Sequence, residues 1–189
     1  KVLLCNHAPQ YFESYQDEID YLVEHKGRNN LIKNLVKDLD GNTLVLFNYV
    51  EKHGTPLYEL INNNVDSARK VFFVHGGTDV EDREEVRNLT ETESNAIIVA
   101  SYGTFSTGIN IKRLHNIVFA SPSKSRIRNL QSIGRVLRKG EGKDIATLYD
   151  IADDIGGQNY TLKHLNERVN IYNNENFKYE VIRVNLRAN

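Results

Sequence analysis

Five short apolar runs are the feature of this sequence that most constrains its fold. Each run is almost continuously apolar, a pattern typical of strands that are buried on both faces of a parallel sheet. The runs occupy residues 43–47, 71–74, 96–100, 116–120 and 145–149. A further apolar run at residues 2–5 fits either a strand or part of a linker.

Segments with helical periodicity separate these runs. Apolar residues recur at steps of three and four. Helices are therefore expected over residues 17–25, 28–39, 51–62 and 79–91. This alternation predicts an α/β fold, with right-handed crossovers that place helices on both faces of a parallel sheet.

The C-terminal part of the sequence predicts one more helix and a final strand. The apolar stripe of this helix comprises Leu162, Leu165, Val169 and Tyr172. The strand-like run covers residues 177–184. We expect this tail to pack on the same domain.

Composition excludes several classes of protein. The net charge is −1 over 189 residues, so any nucleic-acid contact must come from a local basic patch. The single cysteine, Cys5, excludes a disulfide framework and a multi-cysteine zinc site. No run has the length and apolarity of a membrane span, and no signal-peptide pattern is present. We expect a cytoplasmic protein without a membrane partner and, since the sequence lacks Met, a fragment or a processed form.

Residues 123–140 form a helical segment with two stripes, one apolar and one largely cationic. The apolar stripe is Ile127, Leu130, Gly134 and Leu137. The cationic stripe is Lys124, Arg128, Gln131, Arg135 and Arg138. Guanidinium groups stay charged and match phosphate oxygens, and Arg135 and Arg138 lie one turn apart, so both can reach one anion. The alternative is a solvated basic helix face.

Polar loops follow three of the predicted strands. Asn48 follows the first strand, His75 and Gly76 follow the second, and residues 101–110 follow the third. Ligands of open parallel sheets collect at the carboxyl ends of strands, and small polar groups bind phosphate without reading sequence. Each loop alone is also compatible with ordinary turn chemistry, but three on one edge favour a binding function.

These segments, in this order and spacing, resemble the motifs of a superfamily-two helicase. Residues 44–48 resemble motif IV, residues 74–76 the His-Gly element, residues 100–111 motif V, and residues 131–138 motif VI. Motifs V and VI are most similar to those of the UvsW-type DNA helicases of tailed phages. The resemblance covers about residues 17–155.

The resemblance implies a RecA-like (P-loop NTPase-like) helicase C-terminal domain at residues 26–155. Residues 1–25 would be a linker or entry segment. Residues 156–189 would be a C-terminal helix and strand packed on the same domain.

The resemblance also implies roles for single residues. Arg138 would be the arginine finger on the γ-phosphate, with Arg135 beside it, and Gln131 would contact the nucleotide site or the acidic motif of the first domain. Gly108 and Asn110 would lie near the ribose, although many members have Asp where Asn110 stands. The positions that would line the track for one DNA strand are Asn48, His75, Gly76, Ser101, Tyr102 and Thr104.

The sequence lacks a G-x-x-x-x-G-K-[ST] loop and an Asp-Glu pair after an apolar strand. ATP and Mg²⁺ would therefore be held mainly by an N-terminal RecA-like domain of the same protein, and these residues alone would be inactive. Asp150, Asp153 and Asp154 are interpreted as a strand-end turn, with metal ligation as the alternative.

By this resemblance the chain would be the motor half of an ATP-dependent DNA helicase. Such a helicase remodels branched DNA and the intermediates of recombination, repair and replication, in the host cytoplasm if phage-encoded. Two alternatives stay open. One is a double-strand DNA translocase motor of a restriction-type enzyme, and the other is a non-catalytic RecA-like module that binds nucleic acid.

Overall fold

The computed structural model describes residues 1–77, 92–106, 114–123 and 146–186, together with the isolated positions 84, 88 and 130. Its strands are β1 (Val2–Asn6), β2 (Thr43–Phe47), β3 (Val71–Val74), β4 (Ile97–Ser101), β5 (Asn116–Phe119), β6 (Thr147–Asp154) and β7 (Val181–Asn185). They form one sheet in the order β3-β4-β2-β5-β6-β1-β7, and every pairing is parallel. The prediction of a parallel α/β sheet is confirmed.

Helices cover both faces of this sheet. They are α1 (Tyr15–Glu24), α2 (Lys26–Asp38), α3 (Thr55–Asn62), the short α4 (Tyr102–Ser106) and α5 (Tyr160–Asn174). Ile32 of α2 and Ile61 of α3 pack with Val45 on one face. Leu165 of α5 packs with Leu46 on the other face. None of the described helices is long and apolar enough to cross a membrane.

The first residues of the chain belong to the sheet. Of the two alternatives for residues 2–5, the structure has the strand: β1 lies between β6 and β7, and its four apolar residues are buried. Residues 1–25, expected as a linker or entry segment, thus contribute a strand and the helix α1. Ser14 caps α1 by accepting the Asp17 N–H at 3.1 Å.

The region expected as one helix over residues 51–62 has two parts. A π-helical turn, Val50–Gly54, precedes α3. Pro56, which has no N–H to donate, lies in the first turn of α3. Gly54 packs against the Phe47 ring so closely that a Cβ atom there would lie 2.5 Å from the ring.

The fifth predicted strand is longer than expected. Residues 145–149 were the predicted range, but β6 is Thr147–Asp154. Asp150, Asp153 and Asp154 therefore lie within the strand, and their interpretation as a strand-end turn is wrong. Two of these carboxylates are buried beside buried arginines, so the strand continues through them.

The C-terminal tail packs on the same sheet. β7 pairs with β1, and Leu165 and Tyr172 of α5 are buried. Most of the helix expected over residues 79–91 and most of the arginine-rich segment lie outside the described residues, although positions 84 and 88 are described and helical. Leu130, a described position of that segment, is helical and buried, as its place in the apolar stripe predicted.

Candidate functional site

The carboxyl edge of the sheet brings the predicted DNA-track positions together. Asn48 follows β2, His75 and Gly76 follow β3, and Ser101 ends β4. Because β3, β4 and β2 are neighbours in the sheet, these positions occupy one half of its carboxyl edge. Tyr102 and Thr104 follow β4 on α4, at the same edge.

The turn after β3 presents an open backbone. His75 Nδ1 accepts the Gly77 N–H at 3.0 Å, and the His75 ring lies 5.1 Å from the Phe73 ring. Gly76 is exposed, and a Cβ atom there would meet nothing within 4 Å. A phosphate can therefore approach the backbone of this turn.

The loop after β4 is held by its own hydroxyls. Ser101 Oγ and Thr104 Oγ1 lie 2.6 Å apart, and the Thr104 N–H donates to Ser101 Oγ at 3.3 Å. Thr104 and Tyr102 are buried, whereas Ser101 is half-buried and Gly103 is exposed. Contact with a nucleic acid here would thus come from Ser101 and from the exposed backbone at Gly103.

Ser121 forms hydrogen bonds with two of the loops at this edge. Its Oγ accepts the Asn48 N–H at 3.0 Å and lies 2.5 Å from His53 Nδ1. Its carbonyl oxygen accepts the Tyr102 hydroxyl at 3.0 Å. Ser121 therefore ties the loop after β2 to the loop after β4, two residues before the arginine-rich segment begins at residue 123.

The orientation of the His53 ring follows from its second partner. His53 Nε2 lies 2.9 Å from Asn29 Oδ1, and Asn29 Nδ2 donates to the Val23 carbonyl at 3.0 Å. Since the Asn29 oxygen can only accept, Nε2 donates; in the tautomer with its proton on Nε2, Nδ1 accepts from the Ser121 hydroxyl. One directional chain of hydrogen bonds thus runs from Asn48 through Ser121 and His53 to Asn29.

A buried charge cluster holds the end of β5. Arg28 of α2 donates from Nε and Nη2 to the Asp153 carboxylate at 2.9 and 3.0 Å, and from Nη1 to the Ala120 carbonyl at 2.6 Å. His7 Nε2 also lies 2.8 Å from Asp153. Burial alone would raise the pKa of Asp153, but the charge of Arg28 and the hydrogen bonds from His7 and Arg28 lower it to about 2.

The helix that carries Arg28 begins with a histidine cap. His25 Nδ1 accepts the Arg28 N–H at 3.0 Å, which requires an unprotonated Nδ1. Burial lowers the pKa of His25, and the charges of His7 and Arg28 lower it further. This direction favours the unprotonated ring that the cap requires.

A second buried ion pair anchors the tail. Arg168 of α5 donates from Nε and Nη2 to Asp150 at 2.7 and 3.0 Å, and the Tyr172 hydroxyl donates to the same carboxylate at 2.7 Å. Asp150 and Asp153 are thus both engaged by arginine. Within the described ranges, no group of His, Cys, Asp and Glu residues could hold a metal ion.

The sheet and its strand-end loops correspond to a known family. The model of the helicase conserved C-terminal domain matches residues 27–140, which is more than half of the chain. This chain belongs to the helicase C-terminal domain family.

Relatives of this helicase domain include viral helicases. It is 41% identical over 190 residues to the ATP-dependent DNA helicase UvsW of Enterobacteria phage T4, covering 92% of this chain and 37% of UvsW. It is 30% identical over 130 residues to a putative ATP-dependent RNA helicase of Acanthamoeba polyphaga mimivirus, covering 68% of this chain and 23% of that protein. The chain therefore spans well under half of either relative. The resemblance to UvsW-type helicases is confirmed.

Solved structures agree with the helicase fold. The crystal structure of T4 UvsW superimposes with a TM-score of 0.78 and 37% identity, covering 98% of this chain and 42% of that one. The C-terminal domain of the DEAD-box protein Dbp5 superimposes with a TM-score of 0.63 at 13% identity, covering 98% of this chain and 89% of that one. The second likeness shows the fold alone.

The predicted nucleotide-contacting positions of this helicase domain are not among the described residues. They are Gln131, Arg135, Arg138, Gly108 and Asn110. Their roles stay predictions.

The sequence did not predict that Asn29, His53 and Ser121 belong to the site. It predicted Arg28 only as part of a helix. None of these residues belongs to a spacing pattern. The two hydrogen-bond networks join segments that are up to 146 residues apart, as in the pair His7 and Asp153.

Proposed function

We propose that this chain is the C-terminal motor domain of an ATP-dependent DNA helicase that remodels branched DNA and intermediates of recombination and replication. The observation that carries the proposal is the 41% identity to UvsW over 92% of the chain. The identity to the DNA helicase exceeds that to the putative RNA helicase, which favours DNA as the substrate.

In this proposal the domain supplies half of a nucleotide site. Arg138 is the arginine finger, Arg135 lies beside it, and Gln131 contacts the nucleotide or the companion domain. Gly108 and Asn110 lie near the ribose. A companion N-terminal RecA-like domain holds most of ATP and Mg²⁺, and this is supported by the engagement of Asp150 and Asp153 in buried ion pairs.

The same domain supplies part of the DNA track. The neighbouring strand ends that carry Asn48, His75, Gly76 and Ser101 support this role, with Tyr102 and Thr104 holding the loop from inside. Contacts made by backbone and hydroxyl groups fit a motor that moves along DNA without reading its sequence.

The test is the ATPase activity of the full-length protein with single-stranded, duplex and forked DNA. The proposal expects stimulation by DNA and remodelling of forks. Stimulation by duplex without fork remodelling would indicate a double-strand translocase, and binding without hydrolysis would indicate a non-catalytic module. The isolated chain of 189 residues should not hydrolyse ATP.

A further inference from the structure

A cavity of about 510 Å³ opens at the carboxyl ends of β1 and β6. The segments that follow these two strands line it, together with the first turn of α5. Its rim carries three aromatic rings, two side-chain amides and one ammonium group. These belong to Tyr11, Phe12, Tyr160, Gln10, Gln158 and Lys163.

Two aromatic rings of this cavity are exposed to solvent, and two pack against neighbouring rings. Tyr11 is 85% exposed, and Tyr160 is 37% exposed. The Tyr160 ring meets Tyr15 edge-on, with 6.2 Å between centroids, and the Phe12 ring lies 5.2 Å from that of Tyr21. Tyr11 thus offers an open ring, and Tyr160 offers a partly exposed ring beside a neighbouring ring; both are suitable stacking surfaces.

Hydrogen bonds engage the polar groups at the floor of the cavity, including its one carboxylate. The buried Glu18 carboxylate accepts the N–H groups of Tyr160 and Thr161 at 2.9 and 2.7 Å. Asn159 accepts the Ile155 N–H at 2.9 Å. Lys163, which is exposed, is therefore the charge that an incoming ligand meets at the rim.

The position of the cavity separates it from the predicted DNA track. The track positions lie at the ends of β2, β3 and β4, whereas the cavity lies at the ends of β6 and β1. β5, which precedes the arginine-rich segment, lies between them and adjoins β6. Along the strand direction the cavity lies beyond the end of β5, because Phe119 of β5 pairs with Asp150 whereas β6 continues to Asp154.

We propose that this cavity binds a nucleobase. The base stacks on Tyr11 and Tyr160, the amides of Gln10 and Gln158 bond to its edge, and Lys163 pairs with the adjoining phosphate. Aromatic platforms combined with amide donors and acceptors are the groups that recognise unstacked bases. Resting on the proposed function, the base belongs either to bound ATP or to single-stranded DNA.

The test places a fluorescent reporter in the cavity of the full-length protein. These 189 residues contain no Trp, so Tyr11→Trp adds a reporter that can still stack. Tyr179→Trp is the matched control. Tyr179 is also exposed, but it precedes β7 and so lies at the amino ends of the strands, opposite the carboxyl ends that border the cavity. The difference in ligand-induced quenching between the two variants reports the effect at position 11.

The probes separate the two sources of the base. Quenching at position 11 by ADP identifies the base of the nucleotide. Quenching by oligothymidylate, but not by an abasic strand of the same length, identifies a DNA base. The inference is overturned if neither probe changes the fluorescence at position 11 beyond the change in the Tyr179→Trp control at concentrations at which the protein binds both.

A second measurement does not depend on the reporter. Replacing Tyr11 and Tyr160 together by Ala should weaken binding of the effective probe roughly 5- to 100-fold, as expected for lost stacking. Tyr179→Ala should change it less than about twofold. If the wild-type protein hydrolyses ATP but both measurements are negative, only this inference fails. If it does not hydrolyse ATP, the motor proposal fails, and oligothymidylate quenching still reports on the cavity.

Discussion

Ser121 Oγ lies 2.5 Å from His53 Nδ1 inside the carboxyl edge of the sheet. Through the same oxygen and its own carbonyl, Ser121 also holds Asn48 and Tyr102. Both predicted track loops are therefore hydrogen-bonded to the chain just before the arginine-rich segment. Ser121 thus connects the predicted DNA track to the start of the arginine-rich segment within this domain.

Replacing Ser121 by Ala should destabilise the domain by about 1–3 kcal/mol, because the half-buried Asn48 N–H and the buried His53 Nδ1 lose this partner. Urea unfolding of the 189-residue chain measures the change. The control is Ser67→Ala, at an exposed position, which should stay within about 0.5 kcal/mol. Equal stability of the two variants would contradict the role of Ser121 in holding the loops after β2 and β4.

Removing Arg28 should be far more damaging than removing a surface arginine. Arg28→Met leaves the Asp153 carboxylate buried without its main partner, at a cost of about 3–5 kcal/mol. Arg183, which is exposed and lies 3.6 Å from Asp154, is the control, and Arg183→Met should cost less than about 1 kcal/mol. Similar costs in denaturant unfolding would refute the anchoring role of Arg28.

The stability of the fold should depend on pH through Asp153. Its pKa falls from 3.8 to about 2 on folding, so its contribution is complete above about pH 4 and is lost as the pH falls through 2. The loss corresponds to about 2 kcal/mol, measured as unfolding free energy against pH. Asp153→Asn should reduce the dependence of the unfolding free energy on pH between about pH 2 and pH 4. An unchanged dependence would contradict the role of Asp153 in the buried charge cluster.

Two glycines at the site should differ sharply in tolerance. Gly54→Ala puts a Cβ atom 2.5 Å from the Phe47 ring and should cost about 1–3 kcal/mol, although the Gly54 backbone is helical. Gly76→Ala meets nothing within 4 Å and should leave unfolding unchanged. Weakened DNA binding by Gly76→Ala at full stability would support its place on the track, and unchanged binding would argue against it.

The sequence predicted the sheet well because buried parallel strands are continuous apolar runs. β2, β3, β4 and β5 lie within one residue of their predicted ranges. The end of β6 could not be predicted, since Asp150 and Asp153 look like turn residues unless their partners Arg168 and Arg28 are known.

The candidate site was predicted only where a local pattern marks it. Glycines and hydroxyls after a strand point to a binding loop, and the structure gathers those loops on neighbouring strand ends. The sequence of the loop after β4 did not predict which of its side chains are buried. Tyr102 and Thr104 face inward and hold the loop. The partners of Ser121 come from distant segments, which no periodicity reports.

In the proposed motor, this domain completes a nucleotide site held by a companion domain. The most direct test of this proposal is Arg138→Ala in the full-length protein, with ATP hydrolysis and DNA affinity measured on the same preparation and Arg183→Ala as control. The account predicts a fall in hydrolysis of roughly 10³- to 10⁵-fold, with DNA affinity changed less than about threefold. Unchanged hydrolysis, or an equal loss of hydrolysis and DNA binding, would contradict it.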